Sequence, residues 1–132
     1  MDSERIIYIL EQNGINEIEE IAVNENYFVV KFCYEFDNEE ISAARAYSNE
    51  ESQEKEESAD WYSDWYTPYL YDIAKDNIQE VLEEICDEFD IEAEFKEAEN
   101  QKGDIDYMKG IAIFCQDSSE IDLEFILNDN LN

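Results

Sequence analysis

Carboxylates are the residues of this chain most able to do chemistry, because it contains 37 Asp and Glu and no histidine. Without an imidazole, histidine-based acid–base catalysis, serine and cysteine triads and most zinc sites are excluded. Paired carboxylates occur throughout the chain, so no pair is favoured as a glycosidase-like acid and nucleophile. Three glycines are too few for a glycine-rich phosphate loop. The sequence therefore predicts a non-enzymatic protein with no catalytic residue and no cofactor.

Two acidic clusters could contact a divalent cation. Asp104 and Asp106 form a D-x-D pair, and Asp87, Glu88 and Asp90 form the second cluster. Neither cluster follows the calcium-loop pattern, which needs a central glycine and a later glutamate. We expect weak binding of Ca²⁺ or Mg²⁺ at most, and no dedicated metal site.

The three cysteines, Cys33, Cys86 and Cys115, are an odd number and show no C-x-x-C spacing. Two lie in strand-like runs and one in a helix-like run, which is typical of buried free thiols in a reducing cytoplasm. The first residues lack the basic start and apolar stretch of a signal peptide, and no run of about twenty apolar residues occurs. We therefore expect a cytoplasmic protein that does not contact a membrane.

The most unusual stretch is residues 60–71, D-W-Y-S-D-W-Y-T-P-Y-L-Y, which holds both tryptophans and four of the nine tyrosines. In a helix, the four-residue spacing would place Trp61 above Trp65. Large aromatic rings commonly close the core of a small protein, but they also dominate binding hot spots. We expect a split, with Leu70 and Ile73 facing inward and at least one tryptophan reachable from outside.

Charge is the strongest global property of the sequence, because eight basic residues leave a formal net charge of −29. Self-repulsion of this size costs stability. Its sign excludes nucleic acid and anionic membranes as direct partners. The natural partner is a basic protein. The alternative interpretation is that the acidity serves only solubility.

Apolar periodicity predicts an α+β fold, with antiparallel sheet packed against two helices. The clearest strand covers residues 27–36, and its period-two face is formed by Phe28, Val30, Phe32, Tyr34 and Phe36. In chain order, the predicted elements are a helix capped by Asp2 or Ser3, strands at 18–23, 27–36 and 40–47, a helix at 68–89 with Thr67 as its N-cap, and strands at 91–97, 107–116 and 121–127. For the last segment, a short helix capped by Ser118 or Ser119 is the alternative.

A chain of this length is expected to form one domain, 1–132. The element order suggests a duplication of two α-β-β-β units, at residues 1–47 and 67–128, joined by an acidic and aromatic insertion at 48–66. Both units contain F-C, a short gap and D-x-x-E-I. Residues 48–58 have almost nothing to bury and are expected to be flexible.

The predicted element order, the size and the acidity together resemble the small acidic chaperones of type III secretion. Those proteins are non-enzymatic dimers that hold a segment of an effector. The resemblance implies a homodimer that binds an extended client through exposed strand edges or helix faces.

The leading functional hypothesis is an inhibitor or immunity-type protein that neutralises a basic partner, such as a nuclease, a toxin domain or a DNA-binding protein. A DNA mimic is a specialised form of the same idea. The protein would be a monomer or a homodimer. The expected aromatic anchors are Trp61, Tyr62, Trp65, Tyr66 and Tyr69. The carboxylates expected to face the Lys and Arg of the partner are Glu50, Glu51, Glu54, Glu56, Glu57, Asp60 and Asp64.

Overall fold

The computed structural model describes residues 2–98, 107–116 and 122–130. In chain order, its elements are α1 (Ser3–Gln12), β1 (Ile15–Val23), β2 (Tyr27–Glu35), α2 (Asn38–Glu51), α3 (Ala59–Trp61), a π-helical turn (Tyr62–Tyr66), α4 (Thr67–Phe89), β3 (Glu92–Glu97), β4 (Tyr107–Cys115) and α5 (Leu123–Asn130). The acidic pair at 104 and 106 and the predicted turns at 100–104 and 117–119 lie outside the described residues.

The four described strands form one antiparallel sheet in the order β1-β2-β4-β3. The two central strands pair over their full length, and Phe28 lies opposite Phe114 with its ring stacked at 4.9 Å. Helices cover this sheet, so the predicted α+β fold class is confirmed.

Helices α1 and α4 bury the first face of the sheet. On this face, the alternating residues of β2 are buried, as the period-two pattern predicts. They form one cluster with Ile6 and Leu10 of α1 and with the apolar stripe of α4. Asp2 caps α1 by accepting a hydrogen bond from the backbone N–H of Arg5 at 3.2 Å. Gly14 ends the helix with a φ of 83°, a conformation that suits glycine.

Helix α5 covers part of the opposite face. Val29, Ile111 and Ile113 point to this side and pack with Leu123 and Leu127 of α5. The prediction of a strand at 121–127 is wrong for the described part, and the helical alternative is confirmed. Asp122 accepts from the backbone N–H of Phe125 at 3.1 Å, which is the short-range pattern of a helix start.

The predicted strand at residues 40–47 is also wrong, because this segment lies within α2. Asp37 and Glu40 form a capping box in which Asp37 Oδ1 accepts from the Glu40 N–H at 2.7 Å. In return, Glu40 Oε1 accepts from the Asp37 N–H at 3.0 Å. These bonds satisfy two backbone donors at the helix start and outweigh the apparent alternation of Ile41 to Tyr47.

The acidic segment is more ordered than its composition predicts. Residues 48–51 complete α2, and Ser58 begins the next helical segment by accepting from the backbone N–H of Trp61 at 3.3 Å. Thr67 is therefore not an N-cap, since the chain is helical on both sides of it. The π turn precedes Pro68, which lacks an N–H, so this wider turn accommodates the proline as a local defect in a continuing helix.

The internal duplication is not confirmed. Each half does contain a helix followed by two paired strands, but the predicted third strand is a helix in both. Those two helices lie on opposite sides of the sheet, since α2 joins the cluster around α4 and α5 joins the other cluster. The element order on which the secretion-chaperone resemblance depends is therefore different from the observed one.

Candidate partner-binding surface

Trp61 lies in the core rather than at the surface. Its side chain is 0% exposed, and its ring stacks on Tyr66 with the centroids 5.0 Å apart. The indole Nε1–H donates to Asn49 Oδ1 of α2 at 3.0 Å, so the polar atom has a partner inside the fold. This tryptophan fixes α2 against the following helix and has no ring face left for a partner.

The π turn explains why the two tryptophans differ. The sequence predicts stacking at a spacing of four, but Trp61 stacks on Tyr66, five residues away. Five residues is the hydrogen-bond interval of a π-helix, and the Thr67 N–H bonds to the Tyr62 carbonyl at this interval. The wider turn brings Tyr66 inward and leaves Trp65 half-buried, so one tryptophan is reachable from outside as expected. Of the two residues expected to face inward, Leu70 is fully buried, whereas Ile73 is only half-buried and does not join the core cluster.

Arg45 holds two of the predicted partner-facing carboxylates. Its guanidinium donates to Glu57 Oε1 at 2.9 Å and to Glu56, and it lies 5.3 Å from the centre of the Trp61 ring. The hydrogen bond that Arg45 donates to Glu57, followed by the one it donates to Glu56, raises the pKa of Arg45. Glu56 and Glu57 are exposed, but their nearest cation belongs to their own chain.

Three partly accessible aromatic side chains lie together; we call Tyr47, Trp65 and Tyr69 the aromatic patch. The Tyr47 ring stacks on Tyr69 with a centroid distance of 4.8 Å and is 6.1 Å from Trp65. Tyr47 is 39% exposed, and the other two rings are half-buried. The patch combines partial exposure with rigid packing on two helices, which suits a binding anchor.

Helical spacing places exposed carboxylates next to the residues of the aromatic patch. Glu50 and Glu51 follow Tyr47 by three and four residues on α2, and Asp72 follows Tyr69 by three on α4. Asp64 directly precedes Trp65. These four carboxylates are exposed and none forms an ion pair within the described parts of the chain.

The predicted site residues therefore fall into two groups. Trp61 and Tyr66 are buried. The others are at least partly accessible, with the rings half-buried and the carboxylates exposed: Tyr62, Trp65, Tyr69, Glu56, Glu57, Asp60 and Asp64. Sequence reasoning missed Tyr47, which it placed on a strand. The capping-box pattern D-x-x-E at Asp37 was the signal that could have placed it on a helix.

No group of three or more Cys, Asp or Glu is placed to hold a metal ion within residues 2–98, 107–116 and 122–130. Burial raises the pKa of the Cys33 thiol to about 11 and also raises that of Cys86, so neither thiol is activated as a nucleophile.

Comparison with known proteins finds no matching family model, no similar curated protein and no similar solved structure. Within the described part of the chain, no helix is both long enough and apolar enough to span a membrane.

Proposed function

We propose that this protein is a non-enzymatic acidic binding protein that neutralises a basic protein partner, in the manner of an inhibitor or immunity protein. The observation that carries the proposal is the aromatic patch of Tyr47, Trp65 and Tyr69 on a chain of net charge −29. The exposed carboxylates beside it form no ion pair with any residue that the structure describes. A nuclease, a toxin domain or a DNA-binding protein has the complementary charge.

The two features of the surface contribute differently. The carboxylates attract a basic protein over long range and speed its association, and they lose this effect as salt screens them. The aromatic rings contribute short-range contact area at small entropic cost, because the patch is already packed between α2 and α4. Glu56 and Glu57 contribute less than their exposure implies, since the single positive charge of Arg45 offsets one of their two negative charges.

The experiment compares three tagged proteins as baits in lysate of the source organism, at low and then high salt. They are wild type, the double variant Trp65→Ala/Tyr69→Ala, and the control Tyr8→Ala, which removes a tyrosine that is 62% exposed on α1. The protein that wild type retains is then purified, and its Kd for each bait is measured.

A basic protein should bind wild type and Tyr8→Ala equally and elute as salt rises. Loss of a hot-spot residue costs roughly 2 kcal/mol or more, so the double variant should bind it at least about 30-fold more weakly. Equal affinity of all three baits would contradict the aromatic patch as the binding surface. Capture of no basic protein at low salt would contradict the function itself.

A further inference from the structure

A second concave surface lies along the outer edge of β3, between α4 and α5. The cavity has a volume of about 500 Å³. Its lining residues come from one face of α4, from β3 and the residue before it, and from α5: Gln79, Leu82, Glu83, Cys86, Asp87, Ile91, Glu92, Ala93, Glu94 and Leu123. Its floor is apolar, because Leu82, Ile91 and Leu123 are each at most 8% exposed. We call this surface the edge groove.

Strand β3 borders the groove with backbone groups that point away from the sheet. It is an edge strand of the described sheet, with β4 on its inner side. The Ala98 N–H donates inward to the Lys109 carbonyl at 2.9 Å. Because the direction alternates along an antiparallel strand, the N–H groups of Phe95 and Glu97 point outward.

The walls of the groove determine which kind of strand fits. Glu83 and Asp87 line it from α4, and Glu92 and Glu94 line it from β3, while the described lining contains no Lys or Arg. A concave surface with one sign of charge and an apolar floor concentrates the opposite charge. A second copy would bring an equally acidic groove against this one, while Lys96, the one basic residue of β3, already donates to Glu124, so this occupant is disfavoured.

We propose that the edge groove binds an extended, basic segment of the partner by adding it as a strand beside β3. Its Lys or Arg side chains contact Glu83 and Asp87, and its apolar side chains pack on Leu82, Ile91 and Leu123. The inference rests on the proposed function and gives the same basic partner a second contact surface. Glu83 lies 14 residues after Tyr69 on the same helix, which separates the two surfaces by about 20 Å.

The test uses a synthetic peptide of about eight alternating Lys and Val residues, the usual length of a strand. One control peptide carries Glu in place of Lys, and a second has every backbone nitrogen methylated so that neither of its edges can pair with β3. Binding is measured to wild type, to Glu83→Gln/Asp87→Gln, and to Glu80→Gln/Glu84→Gln. The last variant removes the same charge from exposed residues of α4 outside the groove lining.

The Lys–Val peptide should bind wild type and the Glu80/Glu84 variant alike, and the groove variant roughly tenfold more weakly. It should slow amide hydrogen exchange at Phe95 and Glu97, and the methylated and acidic peptides should not. Equal binding to both double variants, unchanged exchange at these amides, or equal binding of the methylated peptide would overturn the proposal. Protection of these amides in the protein alone, rising with its concentration, would identify a second copy as the occupant and also overturn it.

The two surfaces can fail independently. Trp65→Ala/Tyr69→Ala should bind the Lys–Val peptide as wild type does, because the aromatic patch lies outside the groove. If the peptide experiment fails while the basic partner still binds through the aromatic patch, only the strand-addition inference is overturned.

Discussion

At the scale of single residues, the hydroxyl of Tyr34 joins three elements. It donates to Glu40 Oε2 of α2 at 2.9 Å and accepts from Asn77 Nδ2 of α4 at 2.7 Å. Burial, with a contribution from the Glu40 carboxylate, raises the pKa of Tyr34 from 10.0 to about 12. The phenol therefore keeps its proton in the folded protein at a pH where the unfolded chain loses it.

We expect Tyr34→Phe to lower the free energy of unfolding by about 1–2 kcal/mol at neutral pH, because Glu40 and Asn77 lose a partner. As pH rises from 10 to about 12, the unfolded tyrosine ionises first, so wild type should lose stability. The part of this loss in unfolding free energy that comes from ionisation of Tyr34 should be absent in the variant. Urea unfolding across this pH range measures both effects, and parallel pH curves for the two proteins would contradict the assignment.

The aromatic stretch shows which residue-level properties the sequence predicts. Composition correctly indicates that six crowded rings must divide between core and surface. It does not indicate which tryptophan is buried, because a single turn of π-helix changes the stacking interval from four residues to five. The sequence also does not predict the contacts of Arg45 with Glu56 and Glu57, because these contacts depend on how α2 meets the following loop.

At the scale of elements, α5 can be distinguished from the predicted strand by two neighbouring side chains. In a strand, Phe125 and Leu127 would share one face, whereas in the helix Leu127 is 0% exposed and Phe125 is 67% exposed. Leu127→Ala should therefore cost about 2–5 kcal/mol of unfolding free energy, and Phe125→Ala less than about 0.5 kcal/mol. Urea denaturation measures both, and similar costs for the two variants would contradict the helix.

Elements with a dominant periodicity are predicted well by the sequence, whereas α2, which depends on a local start signal, is not. Strand β2 and helix α4 follow their apolar patterns closely. Helix α2 has few buried residues, chiefly Ala44 and Ser48, so its apolar pattern is weak and its formation depends on the Asp37–Glu40 capping box. Tertiary contact with α4 then outweighs the strand-like alternation.

At the scale of the whole molecule, the net charge of −29 should make stability depend on salt. The ion pairs among the described residues join largely exposed side chains and contribute little. Self-repulsion should therefore dominate, and the urea midpoint should rise between about 0.01 M and 1 M NaCl as screening weakens it. A midpoint that falls with salt would show that attractive pairs outweigh repulsion.

Gly110 packs closely against the ring of Phe32, and this contact limits which residues the two positions can hold in related sequences. It lies opposite Phe32 in the β2–β4 pair, and a Cβ atom at position 110 would come within 2.4 Å of the Phe32 ring. The ring thus occupies the space that any larger residue at 110 would need. In diverging sequences, positions 32 and 110 should therefore change together, with a smaller side chain at 32 permitting alanine or serine at 110. This pair is a marker by which a distant relative of this chain can be aligned.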